Sequence, residues 1–142
     1  MSIVKALAQS CHVFFYNVGQ RVGVDRLAWY AKECGLGSRT GVKLDHEMQG
    51  LIPTAAWKKR RFGIEWQEGE TLSLAIGQGF NLVTPLQMLT LISAVANGGT
   101  RYRPEIFKRI ETAEGKIIRE TKPQKIGRLP VSSKTMELVK QG

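Results

Sequence analysis

The chain has 142 residues, a formal net charge of +9 and 42% apolar residues, with 15 glycines and two cysteines. That length predicts one domain or part of one, and the composition excludes a disordered chain and the two cysteines a disulfide framework. No run reaches the eighteen or so apolar residues of a membrane span, and Met1-Ser2-Ile3-Val4-Lys5 enters a helix pattern without a leader pattern. Taken alone, that start predicts a cytosolic chain; if the chain is a piece of a longer one, a segment before it is where an anchor could be carried.

In chain order, Val4 to Val22 keeps one amphipathic rhythm through Val4, Leu7, Cys11, Phe14 or Phe15, and Val18. Gly23 interrupts it, Asp25 is the expected N-cap of a second helix over Arg26 to Cys34, and Gly35 and Gly37 are its expected stop. Thr40 to Asp45 reads as a short strand. Pro53-Thr54 opens a short helix that carries Trp57 and the run Lys58-Lys59-Arg60-Arg61, with a loop from Gly63 to Glu70 after it.

Leu72, Leu74 and Ile76 alternate with small residues and predict a buried strand, which turns at Gly77 and Gly79. Thr84, Pro85 and Gln87 combine a capping box with proline at the first helical position. The helix then runs through Leu86, Leu89, Ile92 or Ser93, and Ala96 to a stop at Asn97-Gly98-Gly99. Tyr102 to Glu111 and Lys116 to Glu120 predict a hairpin turning at Thr112 to Gly115. Lys122 to Pro130 reads as a connector, and Ser132 or Ser133 caps a last helix with Met136 and Val139. The fold class is therefore α+β, or mixed: helix-rich with a small β-hairpin, and incomplete as a domain.

Charge is concentrated late: from Arg101 to Gly142 there are 11 Lys and Arg against 5 Asp and Glu. A basic module that binds polyanion or a partner protein through Lys58 to Arg61 and this tail is one reading, testable by salt dependence. The aromatics do not interleave with the basic run as a nucleic-acid stacking platform requires, so no nucleic-acid partner is expected. Cys11 and Cys34 fit no metal spacing, and neither a metal nor another cofactor is expected.

Gly77-Gln78-Gly79, Thr84-Pro85-Leu86-Gln87-Met88 and Ala94-Val95-Ala96-Asn97-Gly98-Gly99 resemble the central part of the transpeptidase domain of class B penicillin-binding proteins. The likeness continues through Gly23-Val24-Asp25-Arg26-Leu27, Gly35-Leu36-Gly37, Thr40-Gly41-Val42 and Pro53-Thr54-x-x-Trp57-Lys58, and covers roughly residues 4 to 120. Trp57-Lys58 with its basic run is similar to the elongation subtype. The resemblance implies a serine β-lactamase-like fold, with residues 1–142 a partial domain. It also implies acyl transfer that cross-links peptidoglycan stem peptides, acylation by β-lactams, and an N-terminal anchor holding the parent on the outer side of the inner membrane.

Acyl transfer in that family uses Ser-x-x-Lys, Ser-x-Asn and Lys-Thr-Gly. Ser10-Cys11-His12 falls where the second motif belongs, before Val13-Phe14-Phe15-Tyr16. The resemblance makes Ser10 a proton relay, His12 its partner in the cleft in place of the usual Asn or Asp, and Cys11 a substrate-binding neighbour. Ser2-Ile3-Val4-Lys5 has the letters of the first motif only eight residues before Ser10, where the family places it dozens of residues earlier. Lys134-Thr135 is followed by Met136, so no third motif is present. An exposed strand edge also makes self-association of the chain an expectation. The 142-residue chain is predicted to form no covalent adduct with a fluorescent penicillin; a stable labelled band that disappears in Ser2→Ala would make Ser2 the nucleophile.

Overall fold

The computed structural model describes residues 1–142 as seven helices and four short strands. The predicted long first helix is broken in two, α1 (Ile3–Ala8) and α2 (His12–Val22). The break lies at Ser10, whose φ of 49° puts it in the left-handed region that non-glycine residues seldom occupy. Amphipathic spacing alone cannot report such a break, because the apolar rhythm resumes in phase on the far side.

The helix α3 (Val24–Glu33) starts one residue after Gly23, which takes the N-cap position predicted for Asp25. Asp25 sits in the first turn, and its carboxylate accepts a hydrogen bond at 3.0 Å from the Ala55 N–H, tying α3 to the next helix. The predicted strand over Thr40 to Asp45 is absent. Those residues form a looped segment in which Glu47 accepts from the Thr40 N–H at 2.7 Å, the Thr40 hydroxyl at 2.6 Å and the Gly41 N–H at 3.2 Å. A carboxylate that collects three donors replaces the ladder partner that this stretch lacks.

The helix expected to open at Pro53-Thr54 is α4 (Ala55–Phe62), and Thr54 is its N-cap, its hydroxyl accepting from the Trp57 N–H at 3.0 Å. The central expectation fails: Leu72 to Ile76 is not a strand but the end of a helix, α5 (Glu68–Ala75). Glu70 reaches back to the Gln67 N–H at 2.8 Å and starts the helix, and the buried pair Thr71 and Leu74 is spaced three apart, as on a helix face. A short apolar run reads equally as strand or buried helix, and the cap decides it here.

The capping box of α6 (Pro85–Ala96) is as predicted, with Thr84 and Gln87 exchanging bonds at 3.2 Å. The packed face is different. Leu89 and Ile92 point outward, at 62% and 58% exposure, while Gln87 and Ala94 are buried. The Gln87 amide donates to the Ser38 carbonyl at 2.7 Å and the Gln49 carbonyl at 2.9 Å, fastening the 38–50 segment to the start of α6.

The predicted turn holds for β2 (Arg109–Glu111) and β3 (Ile117–Glu120), which pair antiparallel around a left-handed Gly115. The first strand, β1 (Thr100–Tyr102), instead pairs with β4 (Lys125–Arg128), inside the stretch expected to be a connector. The final helix, α7 (Ser133–Gln141), is capped by Ser132 and closes over a small core of Ala94, Leu129 and Met136.

One contact sets the helical layout. A methyl group built on Gly19 would lie closer than 3.0 Å to the Ala75 side chain, so α2 and α5 pass with almost no separation. Gly19→Ala is expected to lower the unfolding free energy by about 1–2 kcal/mol in a denaturant titration, the overpacking cost exceeding the gain in helix propensity. Gly69→Ala, where a methyl group meets open space in α5, is expected to raise it by about 0.5 kcal/mol. Equal effects from both would refute the close approach.

Candidate functional site

Antiparallel packing of α2 on α5 brings the start of one helix to the end of the other. His12, Phe15 and Gly19 fall at i, i+3 and i+7 of the chain, one face of α2. Where that face meets the end of α5, a shallow groove of about 320 Å³ opens, lined by Leu7, Ser10, His12, Phe15, Ala75 and Ile76. Ser10 and His12 are exposed, on either side of the tight turn between α1 and α2. The Ser10 N–H donates to the Leu7 carbonyl at 3.0 Å and the Cys11 N–H to the Ala6 carbonyl at 2.9 Å. The main chain of the turn is thus held while the Ser10 hydroxyl has no protein partner.

The His12 and Tyr16 rings lie one helical turn apart, 6.2 Å between centroids. Cys11 takes the N-cap of α2, half-buried, and does not line the groove. Ser2, by contrast, is occupied structurally: its hydroxyl accepts the Lys5 N–H at 3.3 Å and caps α1. Burial pushes the Cys34 thiol up against the lowering influence of Arg101, which disfavours its thiolate.

The far wall of the groove is supported from behind. Beyond Ile76 the chain turns through Gly77 and Gly79, both left-handed, and Asn81 returns to the Leu74 carbonyl at 3.3 Å. Phe80 then packs edge-on against Trp57 of α4 at 5.3 Å, with Phe62 completing a three-ring cluster. Lys58 lies beneath, only 5% exposed, paired to Glu70 and 5.9 Å from the Trp66 ring centre. These supports gave little sequence signal. Trp57 and Phe80 are 23 positions apart, and only the fold makes them neighbours.

All 142 residues match the family described as the penicillin binding protein transpeptidase domain. The chain belongs to that family. It is 34% identical to peptidoglycan D,D-transpeptidase MrdA of Escherichia coli K12 over 143 aligned positions, covering 100% of this chain and 22% of that protein. To the Salmonella typhimurium MrdA it is 35% identical over 114 positions, 80% of this chain and 18% of the other. Among solved structures, the complex of PBP2 with MreC from Helicobacter pylori superposes with a TM-score of 0.77 at 30% identity, over 99% of this chain and 24% of that one. A structure describing coordination of polymerization and crosslinking by a peptidoglycan synthase complex gives 0.79 at 34% identity, over 98% and 23%. The chain therefore has a PBP2-like transpeptidase fold and spans about a fifth of the curated relatives it matches.

Within this penicillin-binding fold the basic run of α4 is not a continuous cationic face. Lys58 is buried on Glu70 and Lys59 pairs with Glu65, which leaves Arg60 and Arg61 as the exposed, unpaired members. A polyanion module built on all four residues is inconsistent with that geometry.

Two carboxylates that organise the fold are held below the usual carboxylate range. For Glu70, burial alone raises the pKa, but the hydrogen bonds from Lys58 and the Gln67 N–H, with the Lys58 charge, outweigh it and the net direction is down. Glu47 follows the same pattern, its burial being outweighed by the Thr40 and Gly41 donors and Arg39. A depressed carboxylate stabilises the fold above its unfolded value, roughly 4.3, and loses that contribution as pH falls through the lower folded value. The melting temperature is thus expected to fall as pH drops below about 4.5, and to fall less in Glu47→Gln and Glu70→Gln. Parallel pH profiles for wild type and both variants would assign the acid sensitivity elsewhere.

Proposed function

We propose that residues 1–142 form the central part of a D,D-transpeptidase domain and supply one wall of its acyl-transfer cleft. The observation that carries this reading is the placement of Ser10 and His12 together in the groove closed by Ala75 and Ile76. Ser10, with a hydroxyl free of protein partners on a rigid main chain, relays a proton between an attacking serine and the leaving nitrogen. His12 offers one donor and one acceptor to the substrate amide, where a carboxamide would offer more. No role beyond starting α2 is assigned to Cys11.

The attacking serine and the Lys-Thr-Gly strand come from polypeptide outside these residues in this reading. The substrate is a peptidoglycan stem peptide, whose terminal D-alanyl amide a β-lactam imitates. The relatives' names support that chemistry, and the complex of a relative with MreC supports assembly with a protein partner of that kind. No helix of the chain is long and apolar enough to cross a membrane, so an anchor on the inner membrane is likewise assigned to polypeptide outside it.

In the complete transpeptidase that contains this chain, Ser10→Ala is expected to slow acylation by a fluorescent penicillin about 100-fold or more while leaving the melting temperature within a few degrees. His12→Asn is expected to keep or raise the rate. Normal acylation in Ser10→Ala removes Ser10 from the chemistry.

A further inference from the structure

Trp57 and Lys58, adjacent in α4, reach opposite ends of the wall that closes the Ser10 groove. Lys58 runs inward to Glu70 in the first turn of α5, its ammonium having no other hydrogen-bond partner, with the Trp66 ring centre 5.9 Å away. Trp57 runs to Phe80, beyond Ile76, and meets it edge-on with 5.3 Å between ring centres. Consecutive side chains of one short helix thus hold α5 and the glycine turn after it, at residue 70 and at residue 80. Between those two points Ala75 and Ile76 line the groove.

The clamp is tied to the other wall as well. Thr71, next to Glu70, is buried, and its hydroxyl accepts from the Trp66 indole N–H at 2.9 Å. Its carbonyl faces Gly19 of α2, 3.6 Å from where a Cβ would stand there, one turn before Ala75 meets the same glycine. A shift of α5 therefore carries α2, and with it the turn bearing Ser10 and His12. Gly77 and Gly79 restrict the exit of α5 little, so a contact from outside the turn, such as the one at Phe80, fixes its direction. At the other end, desolvation offsets much of the attraction within a buried ion pair. What Glu70 gives Lys58 is one place to stand.

We propose that Trp57 and Lys58 are positioning residues for acyl transfer: they set where α5, and through it the Ser10 turn, stands relative to the attacking serine. Neither lines the groove. The chemistry in this proposal rests on the transpeptidase reading, whereas the clamp itself does not. A misplacement of about 1 Å at a reacting geometry costs up to about 100-fold in rate, so a pair that adds little to stability can still govern turnover.

The test uses the complete transpeptidase that contains this chain, acylated by increasing concentrations of a fluorescent penicillin at a temperature well below every variant's melting point. Lys58→Met/Glu70→Gln removes both charges, while the glutamine keeps the cap on the Gln67 N–H. It is expected to lower the limiting first-order acylation constant about tenfold and to leave the half-saturating concentration within about twofold. Each single variant is expected to lose about as much as the two together, the signature of residues acting as one. Trp57→Leu is expected to slow acylation in the same way. Leu129→Ala, in the core beneath α7, is expected to lower the melting temperature at least as much and to keep the wild-type constant. Amide hydrogen exchange over residues 10–16 and 70–80 is expected to quicken in the double variant and not in Leu129→Ala. That readout involves no acylation, so it stands even where Ser10→Ala reacts normally and the transpeptidase reading of Ser10 falls. The proposal is overturned by wild-type acylation constants in the Lys58 and Trp57 variants, by equal slowing in Leu129→Ala, by a change confined to the half-saturating concentration, or by unchanged exchange around the groove.

Discussion

The absence of a side chain at Gly19 is the constraint on which the candidate site depends. Because that position carries no Cβ, α2 can lie directly on Ala75 of α5, and the two helices run antiparallel at near-contact distance. The start of α2 then meets the end of α5, and the turn bearing Ser10 opens onto Ala75 and Ile76. A larger residue at either place would move the groove's two walls apart. Packed interiors absorb such changes by shifting whole elements, because side chains there have no spare volume.

A second constraint is polar. Gln87 is 2% exposed, and its side chain uses both ends: the oxygen caps Thr84, and the nitrogen serves the Ser38 and Gln49 carbonyls. A buried amide is tolerable only when its bonds are made, so the residue fixes the geometry of everything it touches. The close approach of Gly50 to the Leu82 carbonyl and the bridge between Leu51 and Leu82 follow from the same attachment. This is how a 38–50 segment without regular structure is held in one place beside α6.

Burial is sparse over the whole chain, with 16 of 142 residues buried. The hydrophobic contribution is accordingly modest, and much of the order comes from caps, ion pairs and the shared main-chain bonds of loops. The arrangement agrees with a chain that covers about a fifth of its relatives' length, and it leaves Leu89 and Ile92 of α6 facing outward rather than in the core.

By itself the sequence determined what depends on local chemistry. A helix opens after Pro53-Thr54, Thr84 caps α6, Ser132, one of the two serines expected, caps α7, Gly115 turns its hairpin, and the motifs from Gly77 to Gly99 carry the likeness to the family that matches residues 1–142. Only the tertiary structure decided what depends on partners distant in sequence. It made Leu72 to Ala75 helical, broke the first helix at Ser10, and paired β1 with β4. It also turned Leu89 and Ile92 outward and buried Lys58 on Glu70. Caps and turns are closed by atoms three or four residues apart, so their energies are written in the local sequence; the face a helix buries, and the strand a strand pairs with, are set by whichever surface the rest of the chain brings against it.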